Sequence, residues 1–242
     1  MPFLAEIGLS TVRVFERVRV GVIALLDDGR PPVAPSGGAA VAATMMSAAV
    51  EQMGAKALWS SCRADDEACL VRSARMFAAE CSLVLIVGSA GGEAAAALGR
   101  CELSCVVSIR QVGLDPFGQM QFVKVGAAHM ISLPADPAAA FATFTAFVSP
   151  LLRALAGRFD VLPPVASAVL IDGEHCGARD GGLVWVREQP AHPSGSTELV
   201  ACPATRDPPC LAAATGLAWC PPDLDASEPA AVAYLPFRHW IG

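Results

Sequence analysis

The chain has 242 residues and a mass of 25.0 kDa, with 17 basic and 23 acidic side chains and a formal charge of −6. This acidic balance lacks the basic surface of a nucleic-acid-binding protein, so we expect no nucleic-acid partner. Only 17% of the residues are charged and 54% are hydrophobic, which excludes a disordered chain. A chain of this size and composition should bury one large core or two smaller ones.

The longest apolar stretches predict core elements rather than membrane spans. Leu83–Val87 stops at Gly88, and Ala138–Val148 is followed by Ser149-Pro150. Neither stretch reaches the ~20 residues that cross a bilayer, so we expect no membrane partner. The amino terminus has no basic segment ahead of an apolar one, which predicts a cytoplasmic protein without a signal peptide.

The nine cysteines are odd in number and never spaced Cys-x-x-Cys, which argues against a disulfide scaffold or a zinc ribbon. We interpret them as small hydrophobes packed in the core. The four histidines include no pair at i, i+4, and His129, in a predicted strand, is interpreted as a core or surface residue rather than a catalytic base.

The first two-thirds of the chain alternate strand and helix signals. The predicted strands are Val18–Leu26, Ala55–Ser61, Leu83–Val87, Ser104–Ile109, Gln119–Val125 and His129–Leu133. The first two predicted helices are Ala39–Met53, which ends at Gly54, and Glu67–Ala79, which follows Asp65. A third helix begins with Asp136 and Pro137 and runs towards Gly157, and we expect Pro150 to bend or split it. Such alternation specifies an α/β fold with a mostly parallel sheet covered on both faces.

The pattern changes after Gly157. Residues 158–242 contain proline pairs and short strand-like stretches such as Leu183–Val186 and Val232–Leu235. We therefore predict an amino-terminal segment over 1–17, an α/β domain over 18–157 and a small β-rich domain over 158–242.

Three loops follow predicted strands at the carboxyl edge of the sheet, where open α/β sheets bind ligands. Asp27-Asp28 could hold a divalent metal or position a reacting group, and a solvated acidic turn is the alternative. Gly88–Glu93 offers backbone N–H groups to a phosphate but lacks both nucleotide fingerprints, so a tight turn fits it equally well. Pro134–Pro137 presents a capped helix start, which by itself also fits a simple cap.

Six segments of the chain match a known pattern in the right order. They are Val18–Asp28, similar to a strand ending Ser-Thr-Gly-Asp-Glu; Met53-Gly54-Ala55, similar to Leu-Gly-Ala; Ala64-Asp65-Asp66, similar to an Asp-Asp site; Glu80–Gly92, similar to a strand leading to Ser-Gly-Gly-Val-Ser-Val-Gly; Leu133–Pro137, similar to Leu-Pro-Gly-Asn-Pro; and Ala212–Pro221, similar to Ala-Asn-Gly-Leu-Ala-x-x-Pro. In these segments the chain resembles the carboxyl-terminal half of the molybdopterin molybdenumtransferases, the family that includes the E domain of gephyrin.

The resemblance implies a three-layer molybdopterin-binding domain of the MoaB and Mog type, followed by a small β-rich domain, in a dimer. It also implies a site that binds adenylated molybdopterin, molybdate and Mg²⁺ and releases AMP and molybdenum cofactor. On this resemblance Asp27, Asp28 and Asp65 take the catalytic positions, with Asp27 and Asp28 as metal ligands. The implied pterin-binding positions are Gly88, Ser89, Gly91, Gly92, Pro134, Asp136 and Pro137.

The site motifs depart from the family pattern. Val41-Ala42 replaces Ser-Asn, Leu26 and Ser89 replace glycines, Ala96 replaces an acidic residue, and Asp115–Gln119 replaces Lys-Pro-Gly-Lys-Pro. The last change removes two cations and adds a carboxylate, and each charge pair at 4 Å is worth about 4 kcal/mol in a surface-like dielectric, before desolvation and screening. The family's two amino-terminal domains have no counterpart in these 242 residues.

Three functions follow from this comparison. The first is a molybdopterin-binding protein that is degenerate or depends on a partner, and the second is an active molybdopterin molybdenumtransferase. The third is a scaffold or assembly protein that keeps only the fold, which the low charge fraction favours.

Overall fold

The computed structural model describes residues 11, 13–26, 38–88, 105–114, 118–172, 182–189, 197–202, 212–221 and 228–237, with side chains omitted for 105–114, 118 and 119. Several predicted positions lie outside the described residues: Asp27, Asp28, Ser89, Gly91, Gly92, the alanine run 94–97 and residues 115–117.

The predicted strands and helices of the first part are present, with somewhat different ends. The strands are β1 (Arg19–Leu26), β2 (Lys56–Arg63), β3 (Leu83–Val87), β4 (Cys105–Leu114), β5 (Gly118–Val125) and β6 (Ala128–Leu133). The helices are α1 (Gly38–Gln52), α2 (Glu67–Glu80) and α3 (Pro137–Leu155). Asp66, rather than Asp65, caps α2, because its side chain accepts a hydrogen bond from the Cys69 N–H at 2.9 Å.

The six strands form one sheet in the order β2-β1-β3-β6-β5-β4. The first four are parallel, β5 is antiparallel to β6, and β4 is antiparallel to β5 and therefore runs in the same direction as the first four. The prediction of a mostly parallel sheet is therefore confirmed, with β5 as the one strand of the six that runs the other way. The links from β4 to β5 and from β5 to β6 are too short for a crossover, and such links join antiparallel strands.

Helices cover both faces of the sheet. On one face, α1 and α3 bury alanine, valine and methionine side chains such as Met46 against β1 and β3. On the other face, α2 packs Leu70, Ala74 and Phe77 against alternate residues of the same strands. Strands buried on both faces explain why β3 is apolar along its whole length.

The helix α3 is irregular near Pro150, where the sequence predicts a bend or a split. A π-helical turn, Phe144–Val148, precedes Pro150, and the helix runs on to Leu155. The wider turn accommodates the proline, which has no N–H to donate, without ending the helix. The apolar helix is thus longer than the run 138–148 suggests, with 19 residues over Pro137–Leu155.

Among the described residues, one helix, α3, is long and apolar enough by length and composition to cross a membrane. Just over half of its apolar window, 56%, is buried inside the protein, as is usual for a core helix. One face of α3 packs on the sheet, and Ala139 and Ala142 pack on Trp185 and Leu217 of the following part. A single helix of this kind is weak evidence for a membrane span.

The carboxyl-terminal part is a closed five-stranded barrel. Its strands are β7 (Ala166–Asp172), β8 (Gly182–Glu188), β9 (Glu198–Ala201), β10 (Gly216–Cys220) and β11 (Ala230–Pro236), in the order β10-β11-β7-β9-β8. Closure leaves no unpaired sheet edge. The predicted β-rich character of this part is confirmed, and its interior is filled by side chains such as Leu170, Val186 and Tyr234.

Candidate ligand-binding site

The parallel strands end together at one edge of the sheet. From β1 the chain crosses to β2 on one side, and from β3 it passes to β4 at the opposite side of the sheet. The connections therefore diverge between β1 and β3, which makes this the topological switch point. Open α/β sheets bind ligands in the crevice at such a point.

Gly88 lies in this crevice. Its N–H donates to the Leu133 carbonyl at 3.0 Å, and its φ is +108°, a region that favours glycine. A Cβ at this position would lie 2.8 Å from the Leu25 carbonyl oxygen and 2.9 Å from the Ala39 Cβ. Gly88 thus allows β3 to approach the end of β1 and the first turn of α1 closely.

The starts of two helices meet beside Gly88. A Cβ on Gly38, the first residue of α1, would lie 2.8 Å from the Ala135 carbonyl oxygen in the loop that starts α3. Asp136 caps α3 by accepting from the Ala139 N–H at 2.9 Å, and Pro137 takes the first helical position. Two neighbouring helix starts carry backbone N–H groups and the positive ends of two helix dipoles, which favour an anion.

Asp65 lies at the same edge of the sheet, in the loop after β2. Arg63 donates to its two carboxylate oxygens at 2.8 and 3.0 Å, and this hydrogen bonding holds the pKa of the exposed Asp65 carboxyl below its usual value of 3.8. The Ala64 N–H donates to the Leu26 carbonyl at 3.0 Å. The Asp65 loop therefore begins beside the residue that precedes Asp27 in the chain.

The described residues do not by themselves form a metal site. Within the described part of the chain, no three His, Cys, Asp or Glu side chains are grouped so as to hold an ion. Asp65 already accepts from Arg63 with both oxygens, so it does not fit a Mg²⁺ ligand in this arrangement. Asp27 and Asp28 lie outside the described residues, and their assignment as metal ligands stays a prediction.

The replaced Lys-Pro-Gly-Lys-Pro segment also joins strands at this edge. Leu114 of β4 pairs with Gly118 of β5, and Gln121 pairs with Ser132, next to the end of β6. Because β5 runs antiparallel to β6, the β4 to β5 connection lies at the carboxyl edge of the parallel strands. The sequence change at Asp115–Gln119 thus falls on the side of the sheet that carries Gly88 and Asp136.

An apolar cleft that the sequence analysis missed borders the start of α3. It has a volume of about 430 Å³ and lies between α1, α3 and the barrel, where Val41, Phe141, Trp185 and Phe237 line it and Asp136 stands at its edge. The ring centroid of Phe141 lies 5.8 Å from that of Trp185 and 5.3 Å from that of Phe237. These side chains come from distant parts of the sequence, so no local sequence pattern marks the cleft.

Comparisons with known proteins find the fold but no close relative. No family model matches the chain, and no curated protein matches it. Three solved structures of molybdenum cofactor proteins share its fold: a MoeA molybdopterin biosynthesis protein from Pyrococcus horikoshii (TM-score 0.70, 19% identity, 98% of this chain), a molybdenum cofactor biosynthesis protein from Pyrococcus furiosus (0.63, 19%, 97%), and a second structure of a MoeA protein from Pyrococcus horikoshii OT3 (0.63, 16%, 96%).

The chain spans 58%, 74% and 57% of the length of these three proteins, respectively. At under 20% identity the likeness shows the fold and leaves the activity open. The resemblance seen in the sequence is therefore confirmed at the level of the fold, which this chain shares over nearly its whole length with MoeA molybdopterin biosynthesis proteins.

Proposed function

We propose that this chain is a molybdopterin-binding protein related to molybdenum cofactor biosynthesis, in a degenerate or partner-dependent form. One observation carries the proposal: at the switch point of a fold shared with MoeA proteins, Gly88 and the starts of α1 and α3 meet. The phosphate of the pterin side chain binds at these two helix starts, and Gly88 lets the end of β1, β3 and the start of α1 come close enough to form the crevice.

The same geometry explains why binding should be weak. The described residues at the two helix starts offer backbone N–H groups, and the one ionisable side chain among Gly38, Ala39 and 134–138 is the acidic Asp136. Asp136 also uses the Ala139 N–H, which a phosphate would otherwise accept from. Without a cation from these segments, the anion relies on helix dipoles, which contribute about 0.3–1 kcal/mol each near a surface.

The test is calorimetric titration with adenylated molybdopterin of the full wild-type chain and of two variants that place a charge at Ala135. This residue is exposed and lies in the loop that begins α3, next to Gly38, so a charge there lies near the proposed phosphate position without entering the core. We expect Ala135→Lys to tighten binding and Ala135→Glu to weaken it, each about fivefold, as for a screened interaction of about 1 kcal/mol.

Ala154, exposed near the far end of α3, supplies the matched control. Ala154→Lys and Ala154→Glu should leave the affinity unchanged. Failure of the wild-type chain to bind, or equal effects of charge at both positions, would contradict a phosphate site at the helix starts. A chain that binds should also retain a fluorescent pterin when it is purified from its own cell. We expect the protein to be in the cytoplasmic fraction.

The second candidate is an active molybdopterin molybdenumtransferase that uses Asp27, Asp28 and Asp65. The hydrogen bond between Ala64 and Leu26 favours it, because it brings the Asp65 loop next to the start of the Asp27-Asp28 pair. In this candidate Asp27 and Asp28 would hold Mg²⁺, which would supply positive charge for the oxygens of molybdate and of the adenylate. Asp65 would become available once Arg63 releases it. Incubation with adenylated molybdopterin, molybdate and Mg²⁺ should then yield AMP and cofactor, and an absence of product would remove this candidate.

A partner or a second copy of the chain is part of the proposal. Two apolar side chains just before β1, Val14 and Phe15, are 79% and 71% exposed, and Phe159 and Leu162, just after α3, are 104% and 77% exposed. Phe15 contacts Gly157, so these segments adjoin at one surface. Exposed apolar clusters of this kind usually form interfaces. Light scattering should detect a dimer or a complex, whereas a strict monomer without a partner would contradict this part of the proposal and the scaffold function.

A further inference from the structure

Two cysteines face each other where β2 meets the first turn of α2. Cys62 lies near the end of β2 and is 3% exposed, whereas Cys69 lies in the first turn of α2 and is partly exposed. The Cys69 thiol donates to the Cys62 sulfur over 2.7 Å. Because a disulfide is about 2.05 Å long, a relative shift of about 0.7 Å would bring the two sulfurs to bonding distance.

The surroundings of the two thiols differ. Cys62 packs among Leu70 and Ala74 of α2, and its sulfur lies 3.5 Å from the Ser73 hydroxyl. Burial and the neighbouring Cys69 thiol raise the pKa of Cys62 to about 11, so this thiol is almost entirely protonated at neutral pH. By itself Cys62 is a poor nucleophile.

Cys69 is the more reactive member by position. Its backbone N–H donates to the Asp66 carboxylate at 2.9 Å, which fixes this residue in the first turn of α2. Partial exposure lets a small reagent reach Cys69, and Cys62 lies directly behind it.

We propose that Cys62 and Cys69 are a redox-sensitive pair that a low-molecular-mass disulfide, such as oxidised glutathione, converts to an intramolecular disulfide. The Cys69 thiolate attacks one sulfur of glutathione disulfide, whose S–S bond breaks and releases one glutathione thiolate. The Cys62 thiolate then attacks the Cys69 sulfur of the mixed disulfide and releases the second glutathione. The two protons from the cysteines end on the two released thiolates, and the two electrons reduce glutathione disulfide.

The new bond would act on the loop that carries Asp65. It would join the end of β2, an edge strand of the sheet, to the first turn of α2 and close a ring over residues 62–69. This pair lies on the α2 face of the sheet, whereas the proposed phosphate position lies at the starts of α1 and α3. The redox proposal therefore stands whether or not the chain binds a pterin.

Peptide mapping of the full chain tests the proposal directly. Trypsin cuts after Lys56, Arg63 and Arg72, so Cys62 and Cys69 fall on the separate single-cysteine peptides 57–63 and 64–72. We expect excess oxidised glutathione to link these two peptides in the folded protein, with a mass lower by two hydrogens than their sum, and reduction with dithiothreitol to separate them. Failure of the linked peptide to form in excess oxidised glutathione would overturn the proposal.

Three variants separate the roles of the two thiols. In Cys69→Ser, the remaining Cys62 should react with oxidised glutathione at least about tenfold more slowly than Cys69 does in the wild type, because Cys62 is buried and protonated. Cys62→Ser should retain a mixed disulfide on Cys69. The matched control Cys81→Ser replaces another buried cysteine, 7% exposed, and should still form the linked peptide. A mixed disulfide that persists on Cys69 while Cys62 is present would refute the pairing, even if a serine variant fails to fold.

Discussion

The close approach at Gly88 gives a prediction that the structure makes quantitative. In Gly88→Ala the new methyl group would lie 2.8 Å from the Leu25 carbonyl oxygen and 2.9 Å from the Ala39 Cβ. Neither neighbour is the end of a flexible side chain, so β1, β3 or the start of α1 must shift. Overpacking of this kind costs about 1–3 kcal/mol. The φ of +108° adds a backbone penalty of about 1–2 kcal/mol for an L residue.

Gly54, after α1, separates the two contributions. It also has a positive φ, +84°, but a Cβ there would find no atom within 4 Å. Gly54→Ala should therefore cost only the backbone part, about 1–2 kcal/mol, whereas Gly88→Ala should cost about 2–5 kcal/mol. Against a typical total stability of 5–15 kcal/mol, the second variant should lose a large part of its folding free energy.

Urea unfolding of the two variants beside the wild type, followed by circular dichroism of the helices, measures the difference. The midpoint should fall further for Gly88→Ala than for Gly54→Ala, with similar slopes. Equal losses in the two variants would show that the contacts of Gly88 do not constrain this edge, and the argument for a tight crevice between β1 and β3 would fail. Ligand titration of Gly88→Ala should in addition show weaker binding of adenylated molybdopterin.

Three further predictions concern other positions. Tyr234→Phe should destabilise the barrel by about 1–2 kcal/mol in thermal unfolding, because the buried hydroxyl donates to the Glu188 carboxylate at 3.0 Å. Trp219→Phe, at an exposed position, is the control, and a loss no larger than in this control would contradict the prediction. Asp136→Ala should lower the free energy of urea unfolding by about 1 kcal/mol, because the cap of α3 is lost, whereas Asp136→Asn should keep most of the stability. Equal losses of stability in the two variants would show that the cap contributes little. Burial, with a smaller effect of Lys124, lowers the pKa of His129 below 6.5. The contribution of His129 to the free energy of unfolding should therefore be complete above pH 6.5 and be lost as the pH falls through the pKa of the folded state. His129→Gln should flatten this pH dependence, and an unchanged profile would exclude His129 as its source.

Sequence patterns located the elements well because the signals are local. The apolar run of β3 and the Asp136-Pro137 start of α3 depend only on neighbouring residues, and both lie where they were predicted. The sequence placed an irregularity at Pro150, but its form, a π-helical turn within a continuing helix, depends on the packing on both sides of α3. Likewise, no local signal showed that β4 and β5 extend the sheet antiparallel.

The sequence by itself determined the α/β order, the β-rich tail, the acidic balance and the likeness to molybdopterin molybdenumtransferases. Only the tertiary structure decided which of these features meet. Gly88, Gly38 and Asp136 are brought together because strand order and crossover direction, rather than distance along the chain, place loops at the switch point. The facing thiols of Cys62 and Cys69 and the Phe141 contact with Trp185 arise in the same way, from helix-on-sheet and helix-on-barrel packing between residues that share no sequence motif.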